Sequence, residues 1–213
     1  MELLTTGITF FQKGGIVMYV LLLCSLFVFS IGIERAMYFR RMDSGRAFAR
    51  DFYLALANNK WQKAEQLADH ARGALADILF AVITKKPEAR KNPSAYMEIQ
   101  SGIALAKMRK RLYYLSVIVT MAPLLGLLGT ISGMITSFSV FNLESGQATA
   151  ITGGVGEALI ATAMGLCVAI ISLTVHAYFS QRIENIVTDM EQCFSMVETA
   201  AAERDGMNKE EAA

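Results

Sequence analysis

The sequence predicts an all-α integral membrane protein with three transmembrane helices, the second and third long and extending into a cytoplasmic helical region. Of its 213 residues, 54% are hydrophobic and only 18% are charged, a balance typical of membrane proteins. Residues 14–33, 112–143 and 158–181 are three uncharged runs, and each is long enough for the roughly 20 residues that a membrane-crossing helix needs. Since lipid cannot bond to backbone groups, we expect these runs to be helical.

Residues 14–33 are the first predicted span. A cleaved signal peptide is the alternative, but its apolar region is usually about 7–15 residues long, and its basic residues precede that region. Here the larger basic cluster follows the run, at Arg35, Arg40 and Arg41. Because positive charge collects on the cytoplasmic side, we assign residues 1–42 to an outer N-terminus and the first transmembrane helix.

Residues 43–111 are predicted to form a cytoplasmic helical insert. Of the 20 Lys and Arg, 16 lie between Arg35 and Arg111, and none lies between residues 112 and 181. Positive-inside sorting explains this segregation. Acidic residues are interleaved with the basic ones, which argues against a nucleic-acid partner.

Within the insert, apolar residues at helical spacing predict amphipathic helices over residues 43–59 and 61–73. We expect Trp61 to anchor their core and His70 to be solvated on a polar face. Ser94 is the predicted cap of a third helix. That helix is expected to continue without interruption through the basic residues 107–111 into the second span.

Residues 112–181 contain the second and third transmembrane helices, and residues 182–213 a cytoplasmic C-terminal helix and tail. After Arg182, apolar residues recur at the spacing of one helix face, at Ile183, Ile186, Val187, Met190, Phe194 and Val197. This pattern predicts that the third helix leaves the membrane and continues as an amphipathic helix. The tail from Ala200 is expected to fray.

Small residues recur three or four positions apart in both of these spans. They are Ala122, Gly126, Gly129 and Gly133 in the second span, and Gly154, Ala158, Ala161 and Gly165 in the third. Such spacing lets helix backbones approach closely. We therefore predict that these eight residues pack the two helices together.

Glu157 is the only charged residue between positions 148 and 181. A charged side chain at the centre of a bilayer costs at least about 2.5–3.5 kcal/mol, so an intramembrane carboxylate favours a functional role. The alternative is a structural carboxyl group, kept neutral by burial and hydrogen-bonded across helices. Thr130 and Thr162 lie beside the small residues, where a hydroxyl can donate to a carboxylate or to its own helix.

Catalytic and metal sites are not predicted. No Walker lysine follows the glycines, no strand precedes the segment GGVGEA, and the chain has no His or Cys cluster, so the nucleotide and metal motifs are lacking. The three cysteines are far apart, which excludes a disulfide framework. We expect neither an enzyme nor a bound cofactor.

Two segments, MAPLLGLLGTISGMITSF at 121–138 and GGVGEALIATAMGLCVAI at 153–170, resemble the MotA/TolQ/ExbB proton-channel family. The three-span order is similar to the ExbB and TolQ branches, since flagellar stator subunits have four spans. The resemblance implies a homo-oligomer in the bacterial inner membrane, a pentamer in ExbB-like members, with a periplasmic N-terminus and a cytoplasmic C-terminus. The second and third spans would line a pore that holds an ExbD- or TolR-like single-span partner. Proton flow would then drive a TonB- or TolA-like protein.

Carried over by position, the resemblance makes Glu157 the pore carboxylate and Thr130 and Thr162 pore threonines. The chain departs from many relatives at Ile171 and Ser172, where they have proline. The expected function is a proton-channel and motor subunit that uses the proton motive force to energise TonB-dependent transport across the outer membrane. The alternatives are a TolQ-like subunit for envelope maintenance and a passive, non-conducting membrane scaffold for partner helices.

Overall fold

The computed structural model describes the backbone of residues 15–143 and 148–210, and the side chains there except those of 90, 139–143, 148–153, 157 and 205–210. This part of the chain is helical and contains no strand. Its helices are α1 (Gly15–Met42), α2 (Arg46–Ala57), α3 (Trp61–His70), α4 (Ala74–Ile83), α5 (Pro87–Arg90), α6 (Pro93–Arg109), α7 (Leu112–Leu143) and α8 (Ala148–Glu210). The predicted all-α class is confirmed.

Three helical stretches are long and apolar enough to cross a membrane. They are Gly15–Ala57, Pro93–Phe138 and Gly154–Arg204, whose most apolar windows have mean hydropathies of 2.7, 1.9 and 2.3. The three predicted membrane-spanning helices are therefore confirmed by length and composition.

The chain divides into two compact units. The membrane unit comprises the described residues up to Glu34 together with Arg111–Tyr178, and the extramembrane unit comprises Arg35–Lys110 and the residues from Phe179 onward.

In the membrane unit, α1 packs beside α7 and α8. An ion pair of 2.9 Å joins the Arg111 guanidinium to the Glu34 carboxylate, and the rings of Phe27 and Tyr114 meet edge to face, with centroids 6.2 Å apart. Such edge-to-face geometry is favourable for aromatic pairs.

The extramembrane unit is a helical bundle around the second half of α8. Buried α8 residues recur every three or four positions, at Ile183, Ile186, Met190, Cys193, Val197 and Ala200. This spacing confirms that the third helix continues as an amphipathic helix. One detail of the prediction is wrong: Cys193 is buried where Phe194 was expected to be. The helix extends to Glu210, and the expected fraying from Ala200 stays a prediction.

The predicted uninterrupted helix through the basic cluster is wrong. A turn at Lys110 and Arg111 separates α6 from α7. The buried Arg35 guanidinium donates to the Lys107 and Met108 carbonyl oxygens, at 3.2 and 3.1 Å. These carbonyls belong to the last turn of α6 before the turn at Lys110 and Arg111, so Arg35 supplies hydrogen bonds to this helix end from another helix.

Two further corrections concern helix starts in the extramembrane unit. Asn92, not Ser94, caps α6, because its Oδ1 accepts from the Ala95 amide at 3.1 Å and Pro93 takes the first helical position, where proline is favoured. Trp61 is half-exposed rather than a core anchor. Its ring lies 5.4 Å from the Arg204 guanidinium carbon, a cation–π contact that favours a position at the surface.

Candidate functional site

The site begins with the antiparallel contact between α7 and α8. At Gly165, an added Cβ would lie 2.5 Å from the Ala122 carbonyl oxygen and 3.0 Å from the Gly126 Cα. At Gly126, it would lie 3.0 Å from the Thr162 Cα. The two backbones therefore touch, which only glycine at these positions permits.

The contact continues toward the C-terminal end of α7. An added Cβ on Gly129 would lie 2.6 Å from the Cβ of Ala161, and one on Gly133 would lie 2.9 Å from the Cβ of Ala158. Gly154 lies against the side chain of Ser137. The structure thus brings together all eight small residues that the sequence singled out, in one continuous register.

Thr162 joins the two helices by a hydrogen bond. Its hydroxyl donates to the Gly126 carbonyl oxygen at 3.0 Å, an acceptor that is accessible because Gly126 has no side chain. A hydroxyl that donates in this way keeps its lone pairs as acceptors. Thr162 can therefore hold the helix contact and still accept a proton or a water hydrogen.

Thr130 has a different acceptor. Its hydroxyl donates to the Leu127 carbonyl oxygen of its own helix at 2.6 Å, and the residue is half-buried. The structure therefore does not join the two threonines by a hydrogen bond, and their shared role in a proton pathway stays a prediction.

The backbone of Glu157 lies in α8, directly before the buried Ala158. Its side chain lies outside the described residues. The assignment of Glu157 as the proton-carrying group accordingly stays a prediction that rests on the resemblance and on its isolation within an apolar helix.

Ser172 is a residue of the helix contact that the small-residue pattern did not predict. This residue is fully buried, and its hydroxyl donates to the Leu115 carbonyl oxygen at 3.0 Å. It lies seven positions after Gly165, so extending the small-residue series by one heptad would have found it. Ser172 thus supplies a second hydrogen bond from α8 to an α7 carbonyl.

Two titratable groups of the extramembrane unit have perturbed pKa values. Burial raises the pKa of the Cys193 thiol to about 12, with the nearby Asp189 carboxylate adding to the shift. Burial also raises the pKa of Asp189, which Arg46 partly offsets. Since the thiolate is the reactive form, Cys193 is an inert core residue at neutral pH.

Among the described residues, no group of three or more His, Cys, Asp or Glu side chains is placed to hold a metal ion. The chemistry that the described site can offer is hydrogen bonding by hydroxyls along a close helix contact.

The fold and this contact define a three-span helical membrane protein whose second and third spans are joined through small residues and threonine and serine hydroxyls. The sequence model of the MotA/TolQ/ExbB proton channel family matches residues 66–192. The chain belongs to this family, and the predicted recognition is confirmed.

Relatives of this chain include proteins named ExbB-like and a protein named TolQ. The chain is 36% identical over 170 residues to the biopolymer transport protein ExbB-like 1 of Synechocystis sp., covering 78% of this chain and 67% of that protein. It is 32% identical over 166 residues to ExbB-like 3 of the same organism, covering 76% and 79%. It is also 32% identical over 107 residues to the Tol-Pal system protein TolQ of Pseudomonas aeruginosa, covering 45% of each chain.

Proposed function

We propose that the chain is a proton-conducting motor subunit of a bacterial inner-membrane complex that uses the proton motive force to energise TonB-dependent transport across the outer membrane. The observation that carries this proposal is the position of the single carboxylate of residues 148–181. Glu157 directly precedes Ala158, which packs against Gly133 in the close α7–α8 contact. Family membership and the two hydroxyls support it.

In the proposed mechanism, Glu157 changes protonation as it passes between a wet and a dry environment. Each elementary charge that crosses 100 mV contributes roughly 2.3 kcal/mol to the cycle. The Thr162 hydroxyl, bonded to the Gly126 carbonyl, would steady the helix contact and offer an acceptor beside the pathway, and Thr130 would do so from α7. Protons are the transported species, and no other cofactor is required.

The proposal includes assembly into a homo-oligomer, a pentamer by resemblance. Large apolar side chains of α7 and α8 are exposed in the single chain, for example Leu124 at 64% and Leu159 at 62%. Such faces need lipid or other helices as cover. The proposed partners are further copies of this chain, an ExbD- or TolR-like single-span protein in the pore, and a TonB- or TolA-like protein. The N-terminus would be periplasmic and the C-terminus cytoplasmic.

Two other functions use the same structure. A TolQ-like role in envelope maintenance is favoured by the match to the Pseudomonas aeruginosa TolQ protein over 107 residues. A passive scaffold that holds partner helices would need the small residues but no titratable group. Proton flux separates conduction from the scaffold, and the TonB- or TolA-like identity of the co-purifying protein separates the two conducting roles.

The decisive test compares Glu157→Gln with Glu157→Ala in the partner-containing complex. Glutamine keeps the size and hydrogen bonding of the carboxyl group but cannot titrate. Conduction therefore predicts that the Gln variant assembles and co-purifies with partners while partner-dependent proton flux, read with a pH-sensitive dye in proteoliposomes, is abolished. Normal flux through the Gln variant, with damaged assembly in the Ala variant, would instead identify a structural carboxyl group.

A further inference from the structure

A groove of about 310 Å³ runs between α6 and the second half of α8 in the extramembrane unit. The Arg109–Glu184 ion pair, at 3.4 Å, joins the end of α6 to the start of this part of α8. Away from this ion pair, the residues that line the groove come later in the sequence of α8 and earlier in that of α6. The two helices therefore run antiparallel. Apolar side chains from both helices line it, namely Met97, Leu105, Val187, Met190 and Phe194.

The groove is also lined by three exposed carboxylates, Glu98 on α6 and Glu191 and Glu198 on α8. The two α8 glutamates are seven residues apart, which places them about two helical turns, or 10 Å, apart on one face. None of the described residues that line the groove is Lys or Arg. The groove therefore combines an apolar surface with uncompensated negative charge.

We propose that this groove binds a basic amphipathic helix of a partner protein. An amphipathic helix buries its apolar residues in a groove between two helices, and Lys or Arg beside those residues would pair with the glutamates. The α6 residues that line the groove extend from Ser94 to Leu105, which matches about three helical turns. Leu105, Val187 and Phe194 are half-buried and offer apolar surface to a guest, above the buried Met97 and Met190 side chains.

A second copy of this chain fits the groove less well. The arginines of the short helix α2 are already bonded, Arg46 to the Asn185 side chain at 2.7 Å and Arg50 to Asp51 at 3.2 Å. The next helix, α3, carries Glu65 and Asp69 beside its one lysine. These helices have mixed charge, so the complementary basic helix is better supplied by another protein.

The test uses the full-length protein in a neutral detergent, so that no lipid charge attracts the probe. The probe is a fluorescent synthetic helix of about 14 residues, with leucine on one face and lysine beside it. A second probe has the same leucines and glutamate in place of lysine. Fluorescence anisotropy should show saturable binding of the basic probe, weakening with added salt, and no comparable binding of the acidic probe. Empty micelles provide the background.

Two variants test the location. The triple change Glu98→Gln, Glu191→Gln and Glu198→Gln should weaken binding by about 10- to 100-fold, at roughly two- to fivefold for each exposed ion pair lost. Ser101→Arg, which puts a long cationic side chain into the groove without removing an apolar contact, should abolish saturable binding. The matched control changes three exposed glutamates that do not line the groove, Glu65, Glu88 and Glu203, to Gln and should leave binding within about twofold.

Circular dichroism of each variant is expected to show the helical content of the unmodified protein, so the binding result is independent of whether the chain conducts protons. Equal binding of the two probes, no saturable binding of the basic probe, or equal loss in the control and groove variants would overturn the proposal. If the groove variants instead change the oligomer mass and leave probe binding intact, the groove is an interface between copies, and the proposal is wrong.

Discussion

Replacing Gly165 by alanine should destabilise the membrane unit by about 1–3 kcal/mol, the usual cost of overpacking a close contact. The added Cβ would lie 2.5 Å from the Ala122 carbonyl oxygen, 3.0 Å from the Gly126 Cα and 3.2 Å from the Gly126 nitrogen. All three neighbours are backbone atoms, so no side chain can rotate away. The helices must separate, which also lengthens the Thr162–Gly126 hydrogen bond.

Gly156 provides the control in the same helix. A Cβ added there would have no neighbouring atom within 4 Å, and alanine is a better helix former than glycine by roughly 1 kcal/mol in water. Gly156→Ala should therefore be neutral or slightly stabilising. The helix-propensity gain is common to both variants, so the difference between them isolates the cost of the α7–α8 contact.

The assay is reversible unfolding of the detergent-solubilised protein by a denaturing detergent, followed by circular dichroism. A loss of 1–3 kcal/mol corresponds to roughly 5- to 150-fold in the folding equilibrium. If the two variants unfold within about 0.5 kcal/mol of each other, the size of most surface mutation effects, then α7 and α8 do not touch as described.

Three further predictions test single interactions. Thr162→Val keeps the side-chain shape but loses the bond to Gly126, and should cost about 0.6 and at most roughly 1.7 kcal/mol in the same unfolding assay; no loss would mean that the bond is absent. Gly73→Ala should destabilise the extramembrane unit by about 1–3 kcal/mol, because Gly73 has φ +122° and an added Cβ would lie 2.8 Å from the Met42 carbonyl oxygen; an unchanged unfolding midpoint would contradict this. Burial raises the pKa of Cys193 in the folded state to about 12. The contribution of this thiol to the free energy of unfolding is therefore complete below the unfolded-state pKa near 8.5 and is lost as the pH rises from there toward 12. Cys193→Ala should flatten the curve of unfolding free energy against pH in this range, and an unchanged slope would refute the assignment.

The helices and their contact register could be predicted because both follow from local spacing. A run of uncharged residues defines a span, and small residues at intervals of three and four define the face that another helix can approach. Gly126 and Gly165 were found in this way. The same spacing, extended by one heptad beyond Gly165, reaches Ser172. This residue was not predicted because the series of small residues was taken to end at Gly165.

The break between α6 and α7 could not be read from local spacing. Residues 107–112 have good helical propensity, and nothing in that segment marks an end. The side chain that bonds this helix end lies more than 70 positions earlier, where Arg35 donates to the Lys107 and Met108 carbonyl oxygens. A helix end that depends on such a distant donor requires knowledge of the tertiary structure.

The α7–α8 contact also bears on the proposed homo-oligomer. Buried residues of α8 include a series at intervals of three and four, at Ala158, Ala161, Gly165, Val168 and Ser172, and position 157 lies outside this spacing. The α7–α8 contact is filled by small residues, and in the proposed assembly a carboxylate at position 157 would be covered by another chain. A carboxylate left in lipid would cost at least about 2.5–3.5 kcal/mol, while one facing water or a partner helix in an oligomer would avoid this cost. The proposed conducting assembly thus requires two things: close packing of α7 against α8 within each chain, and a titratable group that lies between chains.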